Sequence, residues 1–109
     1  MDKNMVESLL KTLRGKHFLS LETTPMHEPR FEPIIEKIAH FGLDKKIDAF
    51  STTDNPLARL KYNALFGALK LQETFHKPVI ATMSMRDRNK IALQSDLLGA
   101  NEHNLRSIL

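Results

Sequence analysis

The stretch KIDAFSTTDNP, residues 46–56, places a short apolar segment directly before a run of polar residues and a proline. A brief apolar run without polar alternation is typical of a strand that is buried on both faces, as in a parallel sheet. Thr, Asp and Asn favour loops and helix N-termini, and Pro suits the first turn of a helix. The stretch therefore predicts a strand that ends near Ser51 and a loop that leads into a helix.

The same change from apolar to polar residues occurs twice more, in HFLSLETTP at residues 17–25 and in PVIATMSMRDRN at residues 78–89. The helical spacing of apolar residues predicts four helices, which cover residues 3–14, 33–41, 60–75 and 91–98. Gly15, Gly42 and Gly99 stand where three of these helices would end. A last strand is predicted to begin near Leu105. One helix, three strand–helix pairs and a strand indicate an α/β fold with a parallel sheet, of the doubly wound or barrel kind.

The composition is that of a globular protein. The chain has 109 residues, of which 41% are hydrophobic and 27% are charged, and this suits one packed domain. No apolar run approaches the about 18 residues of a membrane span. The charged N-terminal segment lacks the apolar core of a signal peptide. We therefore expect no membrane association and a cytoplasmic location.

Several kinds of chemistry are excluded by what the composition lacks. There is no cysteine and there are only four glycines, which excludes disulfides, thiol nucleophiles and Gly-rich phosphate loops. The five histidines show no metal-ligand spacing, so no metal site is predicted. A net charge of +3 without a basic cluster, with one Tyr and no Trp, is a weak nucleic-acid signal. We expect no nucleic-acid partner.

Polar residues follow each of the three predicted strands. The carboxyl ends of parallel strands meet at one edge of a sheet, and ligand-binding groups gather there. For Asn55 and Asp87 helix capping is the favoured interpretation, yet the coincidence across three strands predicts a ligand site. The residues are Glu22, Thr23 and Thr24 after the first strand, Ser51, Thr53, Asp54 and Asn55 after the second, and Ser84, Arg86, Asp87 and Asn89 after the third.

Glu22 is the strongest candidate for a catalytic residue. It follows the apolar residues 18–21 and precedes a loop that Pro25 stiffens. A carboxyl group that is partly withdrawn from water suits general-acid chemistry. The alternative is a solvated or ion-paired carboxylate at the end of a strand. The pattern alone leaves both interpretations open.

Three motifs occur in a fixed order: LETTP at residues 21–25, DAFSTTDNP at residues 48–56, and MRDRNKIALQSDLLGA at residues 85–100. The third resembles the third strand–loop–helix unit of the methylenetetrahydrofolate reductases, and the first two are similar to the first-strand and second-strand motifs of that family. Order and spacing agree from about residue 16 onward. The chain is thus similar to the N-terminal portion of this family.

The resemblance implies a fold and a reaction. The family is a (β/α)8 TIM barrel that carries FAD. NAD(P)H reduces the flavin, which passes hydride to 5,10-methylenetetrahydrofolate and yields 5-methyltetrahydrofolate, in one-carbon metabolism and methionine biosynthesis. Residues 1–109 would be the N-terminal half of such a barrel. Residues 1–15 would be a leading amphipathic helix, and residues 16–109 would be about three and a half β/α units. A bound cofactor would supply redox chemistry that the side chains lack.

The resemblance also implies roles for single residues. Glu22 corresponds to the general acid that helps open the methylene bridge of the folate to an iminium, which accepts hydride. Thr53 falls where the family contacts the nicotinamide cofactor or the flavin edge. Asp54, Pro56 and Thr82 fall at flavin-contacting positions, although many members have His at the position of Thr82.

Two hypotheses about the isolated chain stay open. A complete eight-unit barrel has roughly 250 residues, so we expect an N-terminal half that is weakly active or inactive alone. The alternative is a half-barrel that acts as an assembly or interaction module, because an open parallel sheet exposes strand edges and apolar side chains. The expected partners are a folate as small-molecule substrate, and a second copy in a homo-oligomer or a complementary C-terminal half.

Overall fold

The computed structural model describes residues 3–15 and 17–109. Two short 3₁₀ turns, Leu43–Lys46 and Pro56–Ala58, interrupt the loops. The predicted order of one helix, three strand–helix pairs and a final strand is confirmed. The elements are α1 (Lys3–Arg14), β1 (Ser20–Thr23), α2 (Glu32–His40), β2 (Ala49–Thr52), α3 (Ala64–Phe75), β3 (Val79–Ala81), α4 (Lys90–Glu102) and β4 (Ser107–Ile108).

The four strands form one parallel sheet in the order β1-β2-β3-β4. Each strand therefore lies beside the strand that follows it in the chain, and each connection contains a helix. A doubly wound sheet reverses its strand order at a switch point, whereas a barrel keeps the chain order. The predicted α/β class with a parallel sheet is confirmed, and its strand order is compatible with part of a barrel.

One face of the sheet packs against the helices. The ring of Phe50 in β2 lies 5.4 Å from the ring of Phe75 in α3, measured between centroids. Leu21 of β1 and Val79 of β3 are the register partners of Phe50 and continue this row on both sides. The core between sheet and helices is apolar and buried, and it includes Phe31, Ile35, Ile38, Leu65, Ala68, Leu71 and Leu105.

The opposite face carries a different row of residues. Side chains alternate between the two faces of a strand, so the residues between the core positions point away from the helices. The register aligns four of them across the sheet, and we call Glu22, Ser51, Ile80 and Ser107 the Glu22 row. Glu22 is exposed and the other three are partly exposed. This face is therefore the one that is open to a ligand or to further protein.

Helix α1 lies near the amino ends of the strands. Its Leu9 is buried. Leu9 lines a small cavity together with Ile47 and Pro78, which precede β2 and β3. The predicted first helix is confirmed, and it leaves the carboxyl ends of the strands free. None of the helices within the described ranges is long and apolar enough to span a membrane.

Two element boundaries differ from the prediction. Strand β1 extends to Thr23, so Glu22 lies inside the strand and not after it. Helix α4 continues through Gly99 to Glu102, so the predicted stop at Gly99 is wrong. A glycine lowers helix stability without breaking the hydrogen-bond ladder, and the chain leaves the helix only where Asn104 adopts a positive φ of 61°.

The largest difference lies between β2 and α3, where the sequence suits Pro56 to the first turn of the helix that is predicted over residues 60–75. Only a single 3₁₀ turn forms there. Asn55, Leu57 and Ala58 have φ values of 44°, 58° and 57°, which a right-handed helix cannot contain. The loop between the strand and the helix is consequently longer than predicted.

The helix caps also differ from the prediction. The Oδ1 atom of Asn63 accepts a hydrogen bond from the Phe66 N–H at 3.0 Å and caps α3. The Oδ1 atom of Asn89 accepts one from the Ala92 N–H at 2.8 Å and caps α4. The capping role predicted for Asn55 and Asp87 is therefore wrong, because their loops turn before the helices begin.

Two glycines inside helices meet different surroundings. A Cβ atom added at Gly67 of α3 would lie 3.0 Å from the ring of Phe31. That ring is buried and lies 5.5 Å from the ring of Tyr62, so it has little room to move. At Gly99 of α4 nothing lies within 4 Å of an added Cβ.

We expect Gly99→Ala to raise the free energy of unfolding by about 0.5–1 kcal/mol, because alanine favours a helix. We expect Gly67→Ala to lower it by about 1 kcal/mol, because overpacking against Phe31 outweighs the helical gain. Urea unfolding followed by circular dichroism measures both changes, and Gly99→Ala is the control for helix propensity. An equal rise for both variants would contradict the close packing of α3 on Phe31.

Candidate functional site

The loops that follow the first three strands lie side by side at the carboxyl end of the sheet. The Thr53 N–H donates to the Thr23 carbonyl at 3.2 Å and joins the first loop to the second. The Nη2 atom of Arg86 donates to the Asn55 carbonyl at 2.9 Å and joins the second loop to the third. We call this edge, formed by residues 22–26, 51–58 and 82–89, the rim.

Glu22 lies on the open face of β1, beside its register partner Ser51. Its side chain is exposed, and no residue of the described chain forms a hydrogen bond or ion pair with its carboxylate. Of the interpretations left open by the sequence, this chain by itself shows the solvated carboxylate. The apolar neighbour Leu21 points to the helix face, because side chains alternate along the strand. The carboxylate is solvated and free to meet a ligand.

Thr53 and Thr82 directly follow the last register pair of β2 and β3, in which Thr52 lies opposite Ala81. The Oγ1 atom of Thr53 is buried and has no hydrogen-bond partner among the described residues. Leaving a buried hydroxyl unpaired costs about 1–3 kcal/mol. The hydroxyl of Thr52, at the end of β2, is also buried without a partner among the described residues. Side chains alternate along a strand, so of these two hydroxyls the one of Thr53 belongs to the face of Glu22. Thr82 is partly buried.

Asp54 lies at the centre of a buried polar network, with only 2% of its side chain exposed. Its Oδ2 atom accepts a hydrogen bond from the Ser84 N–H at 2.7 Å and forms an ion pair with Nη1 of Arg88. Its Oδ1 atom accepts from Nδ2 of Asn55 at 3.3 Å. Both carboxylate oxygens are thus used within the chain. A flavin contact of Asp54 stays a prediction.

Arg88 connects this network to α4, and 13% of its side chain is exposed. Its Nη1 atom also donates to the Ser84 carbonyl at 2.8 Å, and its Nε atom donates to Oδ2 of Asp96 at 3.1 Å. The hydrogen bond to Asp54 raises the pKa of Arg88 above its ordinary value, although burial opposes this. Asp54, Ser84, Arg88 and Asp96 are called the Arg88 clamp below.

Arg88 is not among the site residues predicted from the sequence. The prediction covers Arg86, Asp87 and Asn89 of the same run, because polar residues after a strand are candidates for ligand contact. The signal that could have found Arg88 is the Asp that directly follows a buried strand, since a buried carboxylate requires a cation or several hydrogen-bond donors. Nothing in the sequence tells which of the two arginines supplies it.

Arg86 and Asp87 form a separate, exposed ion pair. The Nη2 atom of Arg86 lies 2.7 Å from Oδ2 of Asp87. The hydrogen bond from Arg86 lowers the pKa of Asp87 below its ordinary value. The contribution of this pair to stability is present at neutral pH and is lost as the pH falls through that lowered pKa. Exposed pairs of this kind contribute little.

The described residues outside the Glu22 row and the Arg88 clamp show fewer features of a binding or catalytic site. Across residues 3–15 and 17–109, no three His, Asp or Glu side chains lie close enough to hold a metal ion. Pro56 is partly buried and opens the 3₁₀ turn beside Asn55. An apolar groove of about 190 Å³ lies between α3 and α4, where Leu65, Leu69 and Ala100 line it. This groove is separate from the rim.

No family model, no curated protein and no solved structure matches this chain. The resemblance to the methylenetetrahydrofolate reductases stays a prediction that its three motifs carry.

We expect Asp54→Asn to lower the free energy of unfolding by about 2–4 kcal/mol, because Arg88 stays buried after losing one of its two carboxylates. Asp87→Asn is the matched control, since it removes an exposed partner of an arginine in the same loop. Its unfolding free energy should equal that of the wild type within error. Urea unfolding measures both, and equal effects of the two substitutions would contradict a buried network at Asp54.

Proposed function

We propose that this chain contributes the first β/α units of an FAD-dependent reductase. The reductase would use NAD(P)H to reduce 5,10-methylenetetrahydrofolate to 5-methyltetrahydrofolate in the cytoplasm, for one-carbon metabolism and methionine biosynthesis. One observation carries the proposal: Glu22 presents a solvated carboxylate on the open face of the sheet, and the neighbouring strand leads to the buried, unpartnered hydroxyl of Thr53. The three motifs at residues 21–25, 48–56 and 85–100 support it.

The sheet supports a TIM barrel as the complete architecture. Such a barrel has eight parallel strands in chain order, and β1 to β4 follow one another in that order. The outer edges of β1 and β4 have no strand partner within the described residues. A complementary half with four further strands would pair with both edges and would cover the Glu22 row. That half is the first protein partner that the proposal requires.

The rim residues fit a flavin in part. Thr53 has a buried hydroxyl without a partner among the described residues, and Thr82 directly follows β3, the strand beside β2. Both would hold polar atoms of the cofactor. Both oxygens of the Asp54 carboxylate are already bonded within the chain, so Asp54 would support the cofactor indirectly, by holding the loop after β2 in shape. Pro56 would likewise act indirectly, through the 3₁₀ turn that begins at it. When bound, FAD supplies the transfer of hydride from NAD(P)H to the folate.

Glu22 would act on the folate as a general acid. Its carboxyl group donates a proton to a nitrogen of the methylene bridge, the C–N bond breaks towards that nitrogen, and the iminium that remains accepts hydride. The folate and the complementary half would withdraw Glu22 from water, and desolvation favours the protonated carboxyl group. Contact with solvent between turnovers would restore the proton.

We expect Glu22→Gln to slow the reduction of methylenetetrahydrofolate by about 10²–10⁴-fold, because the amide cannot donate the proton. The reduction of the flavin by NADH should stay unchanged, since that step needs no acid at the folate. Stopped-flow absorbance of the flavin separates the two steps. The protein to use is the chain joined to, or mixed with, its complementary half.

Glu28→Gln is the control for this experiment, because Glu28 is another exposed carboxylate of the loop after β1. Normal folate reduction by the Glu22→Gln enzyme would contradict the acid role. The 109-residue chain by itself is expected to be weakly active or inactive. Stoichiometric FAD binding with rapid NADH oxidation by the isolated chain would contradict the half-barrel hypothesis.

A catalytically inactive assembly or interaction module is the second candidate function. It is favoured by the outer edges of β1 and β4, which no described residue pairs with, and by apolar side chains on the surface of α4, where Ile91 is 78% and Leu98 is 75% exposed. Unpaired edges and apolar patches are recurrent sites of association. A second copy of the chain would cover them in a homo-oligomer.

For this candidate we expect light scattering to give a defined dimer or a larger closed species. Leu98→Lys should shift the mass towards the monomer, because a charge on the apolar surface of α4 opposes its burial. Lys90→Ala, which changes an exposed polar side chain of the same helix, is the control. A monodisperse monomer of the wild-type chain at high concentration would contradict self-association.

A further inference from the structure

Parts of the chain that are distant in sequence meet at one guanidinium group, that of Arg88. The group reaches Asp54, 34 residues earlier in the chain, and Asp96, which lies on α4. It also reaches the Ser84 carbonyl in the loop after β3. The Arg88 clamp therefore joins the loop after β2, the loop after β3 and the first half of α4.

The clamp fixes the backbone at Ser84 from both sides. The Ser84 N–H donates to Oδ2 of Asp54 at 2.7 Å, and the Ser84 carbonyl accepts from Arg88 at 2.8 Å. The peptide groups at this residue cannot rotate without breaking two hydrogen bonds that involve charged partners. Such bonds are among the strongest in proteins. Asp54 in turn directly follows Thr53, whose hydroxyl is one of two in the rim that are buried without a partner among the described residues.

The loop after β2 is strained, and it needs a restraint of this kind. Asn55, Leu57 and Ala58 all adopt positive φ values. A residue other than glycine is disfavoured in that region, and it stays there only when its surroundings leave no alternative. Asn55 is held by its own bond to Asp54 and by the Lys61 N–H, which donates to its Oδ1 atom at 2.8 Å. Asp54 is therefore the point at which the strained loop meets the clamp.

We propose that Arg88 is a positioning residue of the rim. It holds the loop after β3 against the loop after β2, and through Asp54 it sets the place of the Thr53 hydroxyl, without contacting the ligand itself. The inference rests on the proposed function only for the identity of the ligand. A lysine could not replace Arg88, because a single ammonium group lacks the planar fork that bonds Asp54, Ser84 and Asp96 together.

Amide hydrogen exchange tests the clamp without any ligand. In the Arg88→Lys chain, peptides that cover residues 53–60 and 83–89 should exchange about tenfold faster, while α3 keeps its wild-type rate. Arg106→Lys is the matched control, because Arg106 also donates several hydrogen bonds but lies next to β4, at its amino end. An equal acceleration over the whole chain, or no change in the two loops, would overturn the proposal.

Asp96→Asn is the second variant, in case Arg88→Lys does not fold. It leaves the pair of Arg88 and Asp54 intact and weakens only the link to α4. The same two loops should exchange faster, by a smaller factor than with Arg88→Lys. Protection in both loops equal to that of the wild type would show that Asp96 does not hold Arg88 in place, and it would overturn the three-element clamp.

Ligand affinity tests the positioning role itself. FAD is the probe, its fluorescence is the readout, and the protein is the chain with its complementary half, at a temperature where all variants are folded. Arg88→Lys should weaken the affinity about tenfold or more, because a displaced contact is costly in a fitted site, and Arg106→Lys should not change it. If Arg88→Lys loosens the two loops in hydrogen exchange but leaves the FAD affinity unchanged, the positioning role of Arg88 is overturned. If the wild type binds no FAD, the proposed function fails and hydrogen exchange alone decides about Arg88.

Discussion

Parallel pairing of β1 to β4 in chain order is the constraint on which the rest of the structure depends. It forces each connection to return along the helix side of the sheet, so the core forms there around Phe50 and Phe75. It also brings every loop that follows a strand to the same edge. Residues that are 30 or more positions apart in the chain become neighbours at that edge, as Asp54 and Ser84 show.

Arg88 neutralises the buried charge of Asp54 at the edge where the three polar loops meet. Asp54 leaves the end of a buried strand and retains little contact with water, and an unpaired carboxylate there would be costly. Its partner comes from the neighbouring loop, so the ion pair also fixes how the two loops lie relative to each other. The residues with positive φ values, Asn55, Leu57 and Ala58, lie in the loop that begins at Asp54 and is held by this ion pair. The contact between Arg88 and Asp54 therefore both neutralises the buried carboxylate and fixes the positions of the two loops.

The two faces of the sheet have different roles. The face that carries Phe50 and Val79 packs on the helices, and its residues are buried. The face that carries Glu22 and Ser51 stays open and polar near the rim. This open face explains why Glu22 is solvated here. The proposed role of Glu22 as an acid would depend on what covers this face.

The sequence by itself determined the order of the elements, the parallel α/β class and the set of polar residues at the rim. These depend on local patterns: apolar runs, helical spacing, and polar residues directly after strands. The tertiary structure alone decided that Glu22 is solvated and that Arg88 rather than Arg86 reaches Asp54. Burial and charge pairing arise between segments that meet only after the sheet has formed, so no local pattern carries them.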